Sequence, residues 1–84
     1  MADLYEQTYH KLRRLLAEQT GVPTSNISRA SAFAEDFDTE PLELYEEVFP
    51  EIEEQFQIEI EPAHYRELTT VQDMVDYIVD KAEL

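Results

Sequence analysis

Apolar residues recur at the three-to-four-residue spacing of an α-helix in three separate stretches of this chain, and that spacing points to a helical fold. In the first stretch Leu4, Thr8, Leu12, Leu15 and Leu16 share one face. Asp3 precedes them as an N-cap with Glu6 three residues on, and Gly21, the only glycine, supplies a left-handed stop with Pro23 just beyond. A helix is predicted over about residues 4–19. In the second stretch Leu42, Tyr45, Val48, Phe49, Ile52 and Phe56 form a stripe, with Glu43, Glu46, Glu47, Glu51, Glu53 and Glu54 around the other faces. Pro41 suits the first turn, but Pro50 falls inside the helix and is expected to cost on the order of 3 kcal/mol or to kink it. In the third, Thr69 and Gln72 read as a capping box ahead of the stripe Val71, Met74, Val75, Ile78 and Val79.

The segments between these helices carry weaker patterns. Residues 22–40 have no long period, yet Val22, Ile27, Phe33 and Phe37 read as anchors of a long ordered loop strapped to the helices. QIEIE, residues 57–61, alternates like a strand but has no second strand to pair with, so it reads as a connector that delivers Ile58 and Ile60 to the core. Pro62 opens a short helical turn over Ala63, His64, Tyr65 and Arg66. The fold expected is all-α, a single domain over residues 1–84: a bundle of three principal helices plus one short helix, with a long loop between the first and second helices.

Composition narrows the function. A chain of 84 residues builds only a small core, so a large enclosed active site is not expected. At 43% hydrophobic residues it is too apolar for a disordered acidic tail, although twenty Asp and Glu stand against six Lys and Arg. The net charge of -14 repels nucleic acid and anionic membrane surfaces and favours partners that present Lys and Arg. There is no Lys or Arg between Arg29 and Arg66, while twelve of the acidic residues lie there, from Glu35 to Glu61. Cysteine is absent, which removes disulfides and thiolate metal sites. No apolar run approaches the roughly 18–20 residues of a membrane span, and MADLYEQTYHKLRR lacks a basic-then-apolar signal pattern. A soluble cytoplasmic monomer is the expectation.

Several stretches resemble the acyl and peptidyl carrier protein family, in place as well as in kind. LLAEQTGV, Leu15 to Val22, is similar to the close of that family's first helix, and SAFAEDF, Ser31 to Phe37, to its loop anchor A-S-F-x-E-D-L. EEQF, Glu53 to Phe56, resembles the E-E-E-F helix ending, and LTTVQDMVDYI, Leu68 to Ile78, resembles I-T-T-V-x-x-x-x-D-Y-I. The resemblance implies the carrier bundle and partners among the enzymes of fatty-acid, polyketide or nonribosomal peptide synthesis. In that family Asp-Ser-Leu opens the second helix, and its serine accepts a 4'-phosphopantetheine arm. This chain reads EDFDTEPLELY there. Counted from the left, Glu40, Pro41 and Leu42 take the triplet; counted back from EEQF, the chain holds one extra residue and Pro41, Leu42 and Glu43 take it. Neither register supplies the alcohol that the ester needs. No cofactor is therefore expected; the alternative is an active carrier with 4'-phosphopantetheine on a non-standard residue, Thr39, the nearest hydroxyl. Thr39 otherwise reads as a turn or N-cap residue and Ser31 as part of the loop anchor.

The remaining candidates point away from catalysis. Asp36, Asp38, Glu40 and Glu47 match positions one, three, five and twelve of a calcium loop, but its sixth position requires glycine and holds Pro41. His10 and His64 lie in separate segments with no nucleophile paired to them by sequence. Lys11, Arg13 and Arg14 are expected to pair with acidic neighbours. The chain reads as a non-enzymatic interaction module, without a metal, that docks basic surfaces of carrier-protein-dependent enzymes through Glu40, Leu42, Glu43, Leu44, Glu46 and Glu47. Leu44, off the apolar stripe, is expected to be an exposed hydrophobic anchor of that surface.

Overall fold

A computed structural model describes residues 3–37 and 39–82; Asp38, third in the calcium-loop pattern, lies outside them, as do Met1 and Ala2 of the N-terminal stretch. The helices in chain order are α1 (Leu4–Thr20), α2 (Phe33–Asp36), α3 (Pro41–Glu43), α4 (Phe49–Phe56) and α5 (Val71–Ala82). A π-helical turn, Leu44–Val48, joins α3 to α4 without a break, and single 3-10 segments occupy Thr24–Asn26 and Pro62–Glu67. The all-α bundle is as expected, and α1 packs chiefly on α5.

Local chemistry explains most of the boundaries. Asp3 caps α1 by accepting the Tyr5 amide at 2.9 Å, while Glu6 reaches across to Arg29 at 3.7 Å. Gly21 ends the helix at φ 80°, its amide donating to the Ala17 carbonyl. Thr8, Leu12, Leu15 and Leu16 are buried as their spacing required, whereas Leu4 is exposed and the unanticipated Tyr9 is buried. The Tyr9 hydroxyl donates to the Ile27 carbonyl at 3.2 Å, and the Arg29 guanidinium lies 4.1 Å from its ring. Among the described residues Lys11 meets no carboxylate: it donates to the Gln55 carbonyl at 2.9 Å and sits over the Phe56 ring, while Arg13 lies over Tyr9. Lys11 thereby meets the carbonyl end of α4, where helix dipoles favour a cation.

The long loop is strapped as anticipated, with Ile27, Phe33 and Phe37 buried and Val22 packed at the edge of the core. Its backbone is also paired: Phe33 donates to the Thr69 carbonyl, Val71 to Ser31 and Gln72 to Arg29, each at 2.9 Å. These bonds move the cap of α5 by one residue. The reciprocal pair is Thr70 with Asp73, not Thr69 with Gln72, because the Thr69 carbonyl is held by Phe33 outside the helix. The Asp73 carboxylate accepts the Thr69 and Thr70 amides and the Thr69 hydroxyl. Ile58 and Ile60 join the core, behind a left-handed Gln57 at φ 54° that ends α4. In the Pro62–Glu67 turn, Tyr65 stacks on Tyr45 with centroids 4.8 Å apart and meets Phe49 edge-on. Burial, then the charges of Glu53 and Tyr77, raises the Tyr65 hydroxyl above its ordinary pKa of 10.0.

The middle helical stretch, residues 41–56, departs from the predicted stripe. In the π turn the Phe49 amide donates to the Leu44 carbonyl, five residues back, so the turn holds one more residue than an α turn. The proline thus falls at the second residue of α4, one residue past the widened turn, in the first turn of a helix where a missing amide is tolerated. The phase of the helix ahead of the turn shifts with it. Leu44 is buried at 6% exposure, correcting the expectation of an exposed anchor, and Leu42, expected on the core stripe, is 65% exposed.

Leu44→Ala should cost about 2–5 kcal/mol in urea unfolding, whereas Leu42→Ala should stay within about 0.5 kcal/mol of the parent. Burial alone would raise the Asp73 pKa, but the hydrogen bonds from Thr69 and Thr70 outweigh it and leave it below the usual 3.8. A lowered folded-state pKa stabilises above the unfolded value and loses its effect as pH falls through the folded one. Asp73→Ala should therefore cost about 1 kcal/mol at pH 7. Thermal melts should show that difference shrinking as the pH is taken below 3.8.

Candidate functional site

The residues singled out by sequence gather where the long loop enters the middle helix. The loop's turn is fixed by its own acid: the Asp36 carboxylate accepts the Ala32 amide at 2.6 Å and caps the one-turn helix α2. Phe33 and Phe37 stack beneath it at 5.8 Å, and Phe33 also meets the edge of Phe49. This packing places Thr39 and Glu40 directly before α3. Glu40 is the backbone N-cap, extended and without a side-chain cap bond, and its carbonyl accepts the Leu44 amide at 3.0 Å. Pro41 takes the first helical position, as its missing N–H and fixed φ favour.

Thr39 is not the N-cap. Its hydroxyl donates back to the Phe33 carbonyl at 3.3 Å and is half-buried, tying the end of the loop to α2. Ser31 is buried and structural, its hydroxyl oxygen accepting the Ser28 amide at 2.9 Å. Glu40, Glu43, Glu46 and Glu47 are exposed, and Leu42 stands among them, so five of the six residues proposed for a partner surface are at the surface. Leu44 is the sixth and belongs to the core. Two grooves lie elsewhere, one of about 210 Å³ over Lys11, Arg14, Leu15, Glu18, Glu51 and Gln55, the other of about 450 Å³ between Tyr5 and Tyr77.

The histidines remain apart. His10 is exposed and contacts Arg13 at 3.3 Å, and His64 shares a hydrogen bond of 2.9 Å with the Tyr77 hydroxyl. Among the described residues no group of three or more His, Asp or Glu is placed to hold a metal ion, and no helix is long and apolar enough to cross a membrane.

Two comparisons bear on this arrangement. A family model described as "Phosphopantetheine attachment site" matches residues 10–78. The acyl carrier protein of Rubrobacter xylanophilus is 33% identical over 75 residues, covering 89% of this chain and 91% of that protein. They overturn the expectation that no cofactor is used, since both point to a 4'-phosphopantetheine prosthetic group. By the count made from the sequence, the attachment step falls at Pro41, which has no oxygen to bear an ester, and the nearest hydroxyl, that of Thr39, is engaged with the Phe33 carbonyl, so these residues fit the group poorly. When bound, the group supplies a flexible thiol on which an acyl chain is carried. On the match over residues 10–78 and the likeness to a whole relative, the chain belongs to the phosphopantetheine attachment-site family, that of the acyl carrier proteins.

Proposed function

We propose that this chain is a non-catalytic carrier-type protein that works by docking on basic surfaces of carrier-protein-dependent enzymes through the start of its middle helix. The observation that carries this reading is the isolated, exposed Leu42 amid Glu40, Glu43, Glu46 and Glu47, in a region without Lys or Arg from Arg29 to Arg66. A one-signed cluster destabilises the monomer by self-repulsion but speeds encounter with an oppositely charged partner. An exposed leucine at its centre adds apolar area that becomes buried on docking. Enzymes of fatty-acid, polyketide or nonribosomal peptide synthesis are the class of partner that the family implies.

Steering of this kind weakens as salt shortens the Debye length to about 10 Å at 0.1 M. The association rate with a carrier-dependent synthase from the source cells should fall as ionic strength rises. A combined Glu43→Lys, Glu47→Lys variant should bind at least about tenfold more slowly at low salt, and Asp76→Lys, Asp80→Lys on α5 much less. Circular dichroism should show the parent helix content, because these side chains are exposed. A folded Glu43→Lys, Glu47→Lys variant that associates at the parent rate would reduce the acidic face to a solvated surface.

A further inference from the structure

The middle helix carries apolar side chains for two different windings. Wound as α throughout, Leu42, Tyr45, Val48, Phe49, Ile52 and Phe56 would share a face; with the π turn, Leu44, Val48, Phe49 and Ile52 are buried, Tyr45 and Phe56 pack against the core, and Leu42 is turned out. The difference is one residue of phase, about 100° of rotation, because a turn closed five residues back takes up one residue more than a turn closed four back. That one residue equals the surplus counted between the loop anchor and the EEQF ending. Hydrophobicity alone does not choose between the windings, since each buries one leucine and exposes the other.

Pro50 does choose. With α winding through residues 46–50 its ring would press on the Glu46 carbonyl; the π turn ends one residue before Pro50, where a change of winding can take up that contact. We propose that Pro50 is the positioning residue of the partner surface: by holding the π turn it keeps Leu44 in the core and presents Leu42, within its ring of carboxylates, to an apolar dimple rimmed by Lys or Arg on the partner. This rests on the docking reading above for its function, but the phase itself is measurable without any partner.

The chain has no cysteine, so a single introduced thiol reports on one position. In the parent protein Leu42→Cys should react with a disulfide reagent more than about tenfold faster than Leu44→Cys, since burial protects a thiol. Pro50→Ala should bring the two rates together or invert them as α winding becomes available. Pro50 is exposed, so this change removes no buried side chain, and circular dichroism should remain helical. Deleting Glu47 in the Pro50→Ala background takes away the surplus residue; α winding then keeps the native phase, and the tenfold preference for position 42 should return. An unchanged preference in Pro50→Ala, or no recovery on deleting Glu47, would overturn the proposal. Either result would leave the charge-reversal test of docking untouched.

Discussion

A proline has no amide hydrogen, and the shape of this protein's candidate surface depends on where that missing donor falls. Pro50 lies one residue past the widened turn Leu44–Val48, so an interruption that would break a regular α-helix is taken up as a change of winding. The helix beyond it keeps Phe49 and Ile52 in the core, and the helix before it is rotated. Which leucine is buried and which faces solvent follows from that rotation. The apolar stripe on the second half of the helix and the acidic turns on the first half are thus joined by a backbone feature rather than by a side-chain contact.

The loop before the middle helix is the second determinant. It has no long regular element of its own, so its backbone groups need partners elsewhere. Phe33, Val71 and Gln72 provide them by pairing loop and helix start, and the Asp73 carboxylate closes the arrangement on Thr69 and Thr70. Phe33 and Phe37 then plug the core from the loop side. One strap therefore fixes both the entry to the middle helix and the start of α5, and Thr39 at its end is tied to Phe33 rather than left free.

Charge is divided unevenly over this frame. Two of the three cations of α1 serve the fold: Lys11 holds the carbonyl end of α4, and Arg13 lies over Tyr9 with Arg29 from the loop. The carboxylates of Glu40, Glu43, Glu46 and Glu47 face water together instead. Their repulsion is a cost that exposure to solvent and salt keeps small, and it leaves a field that a basic partner can relieve.

Much of this was legible in the sequence because it is local. The limits of α1 follow from Asp3 and Gly21, the stripe of α5 from Val71 to Val79, and the family from SAFAEDF and LTTVQDMVDYI, all of which are read within a few turns of chain. The absence of a hydroxyl at Pro41 is equally plain, although it misled about the prosthetic group, which the family relationship points to regardless. The burial of Tyr9 is not legible in the sequence because it depends on a carbonyl eighteen residues away, nor is the cap of α5, because Phe33, far off in sequence, holds Thr69. Three principal helices, a strapped loop and an acidic middle helix follow from the residues alone, since spacing, caps and charge act over one or two turns. The phase of that middle helix, with Leu44 inside and Leu42 outside, is set in the packed fold, because both windings bury apolar residues and the choice lies in how Pro50 and the surplus residue are accommodated against the core.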